Sequence, residues 1–208
     1  MDRRVARPLI LASASPRRRQ LLRGLGIPFR VIPSHVGEEF SGRAPKAIVQ
    51  ELALRKARAI AKTHPDAIVL GADTIVVLNG EIINKPLDKH DAYRMLYRLS
   101  GSTHRVLTGV AVVCEALRVE RVGAAVSSVR MRKMQIDELI RYSRKHMDKA
   151  GAYAIQEKSD PVATVISGSY DNVVGLPVDL VGKMLREFER RLSRTADIPK
   201  GGEPKRRR

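Results

Sequence analysis

Apolar positions along the chain follow two periods, and the period changes wherever a cap or turn residue stands. Residues 8–12 (Pro8-Leu9-Ile10-Leu11-Ala12) form an apolar run of strand length that ends at Ser13-Ala14-Ser15-Pro16. Ser15 as N-cap and Pro16 at the first helical position are helix-start chemistry: the serine oxygen accepts an unpaired N–H, and proline has none to lose. Leu21, Leu22 and Leu25 then share one face, with Gly26 as the expected stop. A strand follows over 29–33. Residues 44–62 read as a helix through Ile48, Leu52, Ala57 and Ile60 or Ala61, broken by Thr63-His64-Pro65. The β-branched run 67–78 reads as strand interrupted by Gly71-Ala72-Asp73-Thr74, and Asn79-Gly80 is the strongest hairpin signal in the chain, with Ile82-Ile83 as the return.

Ala92, Met95, Leu96 and Leu99 give a helix over 88–100, ended by Gly101, and residues 105–114 and 118–131 read as two long strands expected to pair antiparallel. A short helix is expected over 136–145 and a strand over 162–167. The segment 168–177 reads as a glycine-bearing loop. Val181, Met184, Leu185, Phe188 and Leu192 mark a final amphipathic helix over 177–192. From Ser193 onward periodicity stops, so a basic, disordered tail over 193–208 is expected. Consecutive strands in the middle exclude a regular βαβα series, which leaves a mixed α/β chain. At about 150 residues per domain, 208 residues allow one large domain or two small ones; residues 1–192 are read as one domain, with room for two lobes and a cleft between them.

Composition adds one unusual feature. Lys and Arg number 39 against 22 Asp and Glu, a formal charge of +17. The segment 200–208 holds five basic residues against Glu203, so it accounts for +4 and leaves +13 on the rest. Such a field suits polyanions: nucleic acid, an anionic surface or a phosphorylated small molecule. With aromatics at 4% and no Trp, a base-stacking platform for single strands is poorly supplied. The longest apolar stretch, 106–114, is interrupted by Thr108 and Gly109 and falls well short of the roughly 18 residues a membrane span needs. Cys114, the single cysteine, allows no intramolecular disulfide and reads as core, so a reducing cytoplasm is the expected compartment. The N-terminal segment has only a superficial signal-peptide shape and is read as mature protein.

Chemistry concentrates in a few places. Ser13 to Arg19 sets three guanidiniums on the first turn of a helix, where the helix dipole already makes positive charge unfavourable unless an anion arrives. Serine hydroxyls, unpaired N–H groups and bidentate arginines together form a phosphate cradle without a glycine-rich loop. Asp73, a carboxylate between apolar runs, must be paired, protonated or on a metal, or serve as a cap. Lys56 and Lys85 are available to phosphate, and Glu38 and Glu39 to Mg²⁺, whose sites use few carboxylates and substrate phosphates besides. The histidines His35, His64, His90, His104 and His146 show no metal-ligand spacing. Gln156 offers both a donor and an acceptor to a nucleobase edge.

Six segments in order, Leu11-Ala12-Ser13-Ala14-Ser15-Pro16-Arg17-Arg18, Gly71-Ala72-Asp73-Thr74, Asn84-Lys85-Pro86, Ser100-Gly101-Ser102-Thr103-His104, Ala150-Gly151-Ala152-Tyr153 and Asn172-Val173-Val174-Gly175-Leu176-Pro177, make residues 8–190 resemble the Maf family of nucleoside triphosphate pyrophosphatases. The resemblance implies a cytoplasmic α/β enzyme with a mixed twisted sheet flanked by helices, related to the inosine triphosphate pyrophosphatases. It implies cleavage between the α- and β-phosphates, a divalent cation such as Mg²⁺ or Mn²⁺, and room for a homodimer. By motif matching it makes Asp73 the proton acceptor, Glu38 a metal ligand, and Ser13, Arg18, Lys56 and Lys85 phosphate-binding. Arg17, Thr74 and Gln156 match the subfamily acting on dTTP and UTP, whereas the 7-methyl-GTP subfamily carries Trp, Gln and Glu there. Two departures stand out: Gly37 precedes Glu38 where the family often has Asp, and Ala154 replaces a frequent Gly. The competing expectation is a basic nucleic-acid-binding or non-catalytic regulatory protein.

Overall fold

The computed structural model describes residues 7–40, 44–156 and 161–196. Strand β1 (Leu9–Leu11) leads into α1 (Pro16–Arg23), whose N-cap Ser15 accepts from Arg18 N as its sequence predicts. β2 (Phe29–Val31), α2 (Pro45–Ala61), β3 (Ile68–Leu78) and β4 (Glu81–Ile83) follow, then α3 (Lys89–Leu99), β5 (Thr103–Cys114), β6 (Val119–Met131), α4 (Ile136–Tyr142), β7 (Ala163–Ser167), α5 (Tyr170–Val174) and α6 (Val178–Ala196). At the β3–β4 hairpin Asn79 and Gly80 have φ of 50° and 89°, the pair of positive values that its two-residue turn requires.

The sheet runs β2-β1-β3-β5-β6-β7, with β4 paired to β3. β1 pairs parallel with β2 and β3, and the remaining pairs are antiparallel. One edge of β3 is bonded to β5 continuously, from Val69 against Val113 to Val77 against Arg105. On its other edge β1 covers Ile68 to Leu70 and β4 covers Val76 to Leu78, so among the described residues no strand pairs with residues 71–75. The sheet is split there, and Asp73 and Thr74 stand in the split.

Helix α2 packs on one face of the sheet, placing Ala53, Ala57 and Ile60 against Val69, Ala111 and Val113. On the opposite face Leu22, Val181, Leu185 and Phe188 cover the β1 side, while Leu96, Leu99, Leu139 and Tyr142 cover the β4 side. Cys114 is buried in the core, as expected. Glycine lets α2 lie unusually close: a Cβ at Gly71 would stand 2.2 Å from the Ala53 carbonyl oxygen, and one at Gly109 2.0 Å from that of Val49.

Four sequence expectations are corrected. Gly71-Ala72-Asp73-Thr74 does not interrupt the strand but lies within β3, because the unbroken β5 ladder holds its backbone and the small residues there make room for α2. The 168–177 loop contains α5, capped by Ser169, whose oxygen accepts from Asn172 N. Helix α4 ends at Tyr142, short of residue 145. α6 continues through Ser193 to Ala196, since no glycine or proline stands between residues 183 and 198 to stop it; the rest of the expected tail lies outside the described residues. Among the described residues, no helix is long and apolar enough to cross a membrane.

Candidate active site

Alternation along β3 sends neighbouring side chains to opposite faces, and at the split both faces are reachable. Asp73 faces α2, on the same side as Gly71. There Lys56 of α2 donates to Asp73 Oδ1 at 2.5 Å and to Glu38 Oε1 at 2.6 Å, while Lys85, just past β4, donates to Glu38 Oε2 at 3.2 Å. Lys56 and Asp73 are buried, with side-chain exposures of 10% and 8%. Burial of such charges costs several kcal/mol unless they are paired, and here each is the other's partner. The Asp73 Oδ2 atom takes no hydrogen bond among the described residues. Partial burial pushes the Glu38 carboxyl up, but the hydrogen bonds and charges of Lys56 and Lys85 outweigh it and hold the group at about 2.

Thr74 faces the other way, toward α1 and α5. Arg18 reaches it from α1, donating from Nη2 to Thr74 Oγ1 at 3.0 Å, from Nε to the Gly175 carbonyl at 2.8 Å and from Nη1 to Ser13 Oγ at 3.3 Å. All three acceptors are neutral, and among the described residues no carboxylate lies within ion-pair distance of Arg18. Burial lowers the guanidinium's pKa from its ordinary value; the charges of Asp73 and Glu38 oppose that shift and Arg17 adds to it. The remaining cations of the cleft are engaged with acids. Arg17 pairs with Asp148 at 3.1 Å, and Asp148 also pairs with Lys149 at 2.7 Å. Partial burial pushes the Asp148 carboxyl up, and these two cations bring it down to about 2.

Two adjoining chambers open on the split and share Arg17, Thr74, Lys85, Asp148 and Val174 as a common wall. The first is highly charged and holds Ser13, Arg18, Glu38, Lys56 and Asp73. The second mixes aliphatic side chains (Val76, Val106, Val173) with Tyr153 and the Gln156 amide. A charged chamber joined to one that adds aliphatic side chains, a tyrosine and an amide has the form that a nucleotide's phosphates and base require. Every predicted site residue thus lies in one cleft: Asp73, Glu38, Lys56, Ser13, Arg18 and Lys85 around the charged chamber, Thr74 and Arg17 at the junction, Gln156 in the second.

Among the described residues, no three His, Cys, Asp or Glu side chains group as a metal site would need. Glu38 and Asp73 nevertheless converge on a single cation, the Lys56 ammonium. Two hard carboxylate oxygens with room for phosphate oxygens fit a divalent ion of the Mg²⁺ type, which takes few protein ligands.

Sequence reasoning missed what stands behind these residues. Thr108 Oγ1 lies 3.0 Å from Thr74 Oγ1 and donates to the Asn172 carbonyl at 2.9 Å. Asn172 Nδ2 in turn donates to the Val106 carbonyl at 3.1 Å and to Ser127 Oγ at 2.9 Å, fastening α5 to β5 and β6. Behind the second chamber, His104 Nε2 is 2.7 Å from the Tyr153 hydroxyl. Burial lowers His104 to about 4 and raises the Tyr153 phenol above its ordinary range. The available signal was the interruption of the longest apolar run by Thr108 and Gly109, the residues paired with Thr74 and Asp73.

The profile of the Maf-like protein family matches residues 8–188. A protein of Elusimicrobium minutum named dTTP/UTP pyrophosphatase is 44% identical over 180 residues, covering 86% of this chain and 98% of its own. Proteins of the same name from Symbiobacterium thermophilum and Thermococcus onnurineus are 48% and 47% identical over 183 residues, covering 86% of this chain and 93% and 97% of theirs. Among solved structures, a HAM1 protein from Coxiella burnetii superposes with a TM-score of 0.52 at 16% identity, covering 88% of this chain and all of that one, a likeness of fold.

Proposed function

This chain belongs to the Maf family, and on that footing we infer that it hydrolyses dTTP and UTP to the monophosphate and pyrophosphate, with residues 1–192 acting as one pyrophosphatase domain. The observation that carries the assignment to this cleft is Arg18: a half-buried guanidinium held entirely by neutral oxygens, beside a carboxylate with one oxygen unengaged. Such a cation keeps its charge for a phosphate group.

In this reaction scheme Arg17, Arg18, Lys85 and the Ser13 hydroxyl hold the triphosphate across the charged chamber. Lys56, at its floor, fixes Asp73 through Oδ1 and adds its charge beneath the same phosphates. Asp73 Oδ2 takes the proton of the water that attacks the α-phosphorus. The bond from that phosphorus to the bridging oxygen breaks, and pyrophosphate leaves against the arginines and Lys85. Glu38 would hold a divalent cation, which when bound neutralises charge on the leaving pyrophosphate. Positioning and charge stabilisation supply most of the rate in phosphoryl chemistry.

Gln156, Arg17 and Thr74 set the base preference. A primary amide can donate to a uracil or thymine carbonyl and accept from its N3–H at once, and the aliphatic wall of the second chamber takes the ring. The test is product analysis of a panel, dTTP, UTP, CTP, GTP and 7-methyl-GTP, with Mg²⁺ or Mn²⁺. Pyrophosphate and monophosphate from dTTP and UTP are expected, abolished by a chelator and restored by metal; preferential turnover of 7-methyl-GTP, or release of inorganic phosphate, would overturn the assignment.

A further inference from the structure

The hydrogen bonds behind Thr74 have only one consistent direction. A threonine hydroxyl has one proton. Thr108 spends its proton on the Asn172 carbonyl, a contact in which the carbonyl can only accept. In the 3.0 Å contact between the two hydroxyls Thr108 must therefore accept, and Thr74 must donate. That commits the Thr74 proton and leaves its oxygen to accept from Arg18 Nη2. The chain of hydrogen bonds runs from Arg18 through Thr74 and Thr108 to the Asn172 carbonyl, with no carboxylate along it.

Thr108 is fully buried at 0% exposure and faces Thr74 directly in the β3–β5 ladder, so neither its side chain nor its contact depends on solvent. The far end of the relay, Asn172, lies in α5, and the Gly175 carbonyl that accepts from Arg18 Nε caps the same helix. Arg18 is thus gripped twice by the C-terminal turn of α5, once directly and once through two hydroxyls. A carboxylate in direct contact with the guanidinium would hold it more strongly but would cancel the charge that a phosphate needs.

We propose that Thr108 is a positioning residue for substrate phosphate: by fixing the direction of the Thr74 hydroxyl, it holds Arg18 in its phosphate-binding orientation without neutralising it. The proposal deepens the pyrophosphatase assignment and rests on it. Thr74, matched by resemblance to substrate choice, then acts through Arg18 as well as on the base side.

The test compares Thr108→Val, Thr108→Ser, Thr74→Val and the Thr74→Val/Thr108→Val double variant. Four quantities are read: KM and kcat for dTTP, the Kd of pyrophosphate by calorimetry, and Tm. Thr108→Val is expected to raise the dTTP KM and the pyrophosphate Kd by up to about 10-fold, the effect of one lost hydrogen bond between neutral groups. Thr108→Ser, which keeps the hydroxyl, should restore both to within about 2-fold, and the double variant should bind no worse than Thr74→Val. A purely structural role would lower Tm while leaving KM and Kd unchanged, and that result, or additive losses in the double variant, overturns the proposal. Should Thr108→Val fail to fold, Thr108→Cys, of similar volume and with a weak acceptor, replaces it under the same criteria. A native chain inactive on dTTP would count against the pyrophosphatase assignment, while the pyrophosphate Kd would still decide the role of Thr108.

Discussion

Gly109 of β5 stands directly opposite Asp73 of β3, and the space its missing side chain leaves is filled by the backbone of α2. That close approach lets a lysine on α2 reach a carboxylate in the middle of the sheet. Gly109→Ala would set a Cβ 2.0 Å from the Val49 carbonyl oxygen, a backbone clash that no rotamer relieves. The helix must shift, at an expected cost of about 3 kcal/mol, and Lys56 moves with it. Urea unfolding should show the loss of stability, and turnover should fall further than the folded fraction accounts for.

Lys56 serves two acids, so its removal and the removal of Asp73 are not equivalent. Lys56→Met leaves Asp73 buried and unpaired and takes a partner from Glu38; breaking a buried pair in this way costs about 3–5 kcal/mol. Asp73→Asn leaves Lys56 with Glu38 at 2.6 Å and should cost about 1–2 kcal/mol. Parallel urea titrations check the order, and equal losses would contradict it.

Much of this architecture was legible beforehand. Ser15-Pro16 and Asn79-Gly80 signal a helix start and a hairpin through chemistry that acts within a few residues, and the apolar faces of α2, α3 and α6 repeat often enough to be read. What escaped depends on partners distant in the chain. Gly71 and Asp73 look like a break in a strand because the lysine that pairs the acid and the helix that needs the glycine lie elsewhere. α5 is five residues long, and its Ser169 cap with Asp171 and Asn172 is indistinguishable from turn chemistry. The residues that line the cleft were named by motif; the threonine relay was not, because the break that Thr108 makes in an apolar run does not show its role until its neighbour across the ladder is known.

His104 makes stability depend on acid. Burial lowers its pKa from 6.5 to about 4, so between those values the unfolded chain binds a proton that the folded chain does not. Stability contributed by the neutral ring is complete above pH 6.5 and declines as pH falls toward 4. From pH 7.5 to pH 5 the native chain should lose about 2 kcal/mol that a His104→Gln variant does not lose. Chemical denaturation at both pH values checks this, and identical slopes would contradict it.

Gln156 should govern which base is accepted rather than whether phosphate is held. Gln156→Ala is expected to lower kcat/KM for dTTP and UTP by about 10- to 100-fold, the range for one lost base contact, and to leave the pyrophosphate Kd unchanged. Comparable losses in both would move Gln156 out of the base chamber.

The central claim is that Asp73 takes the proton of the attacking water while the cations around it hold the phosphates. Its most direct test measures pyrophosphate release from dTTP, and dTTP affinity, for Asp73→Asn beside the native chain. The expected result is turnover lowered by about 100-fold or more, as for a lost general base, with dTTP still bound. A folded Asn variant that turns over dTTP at a rate near the native one would contradict the account.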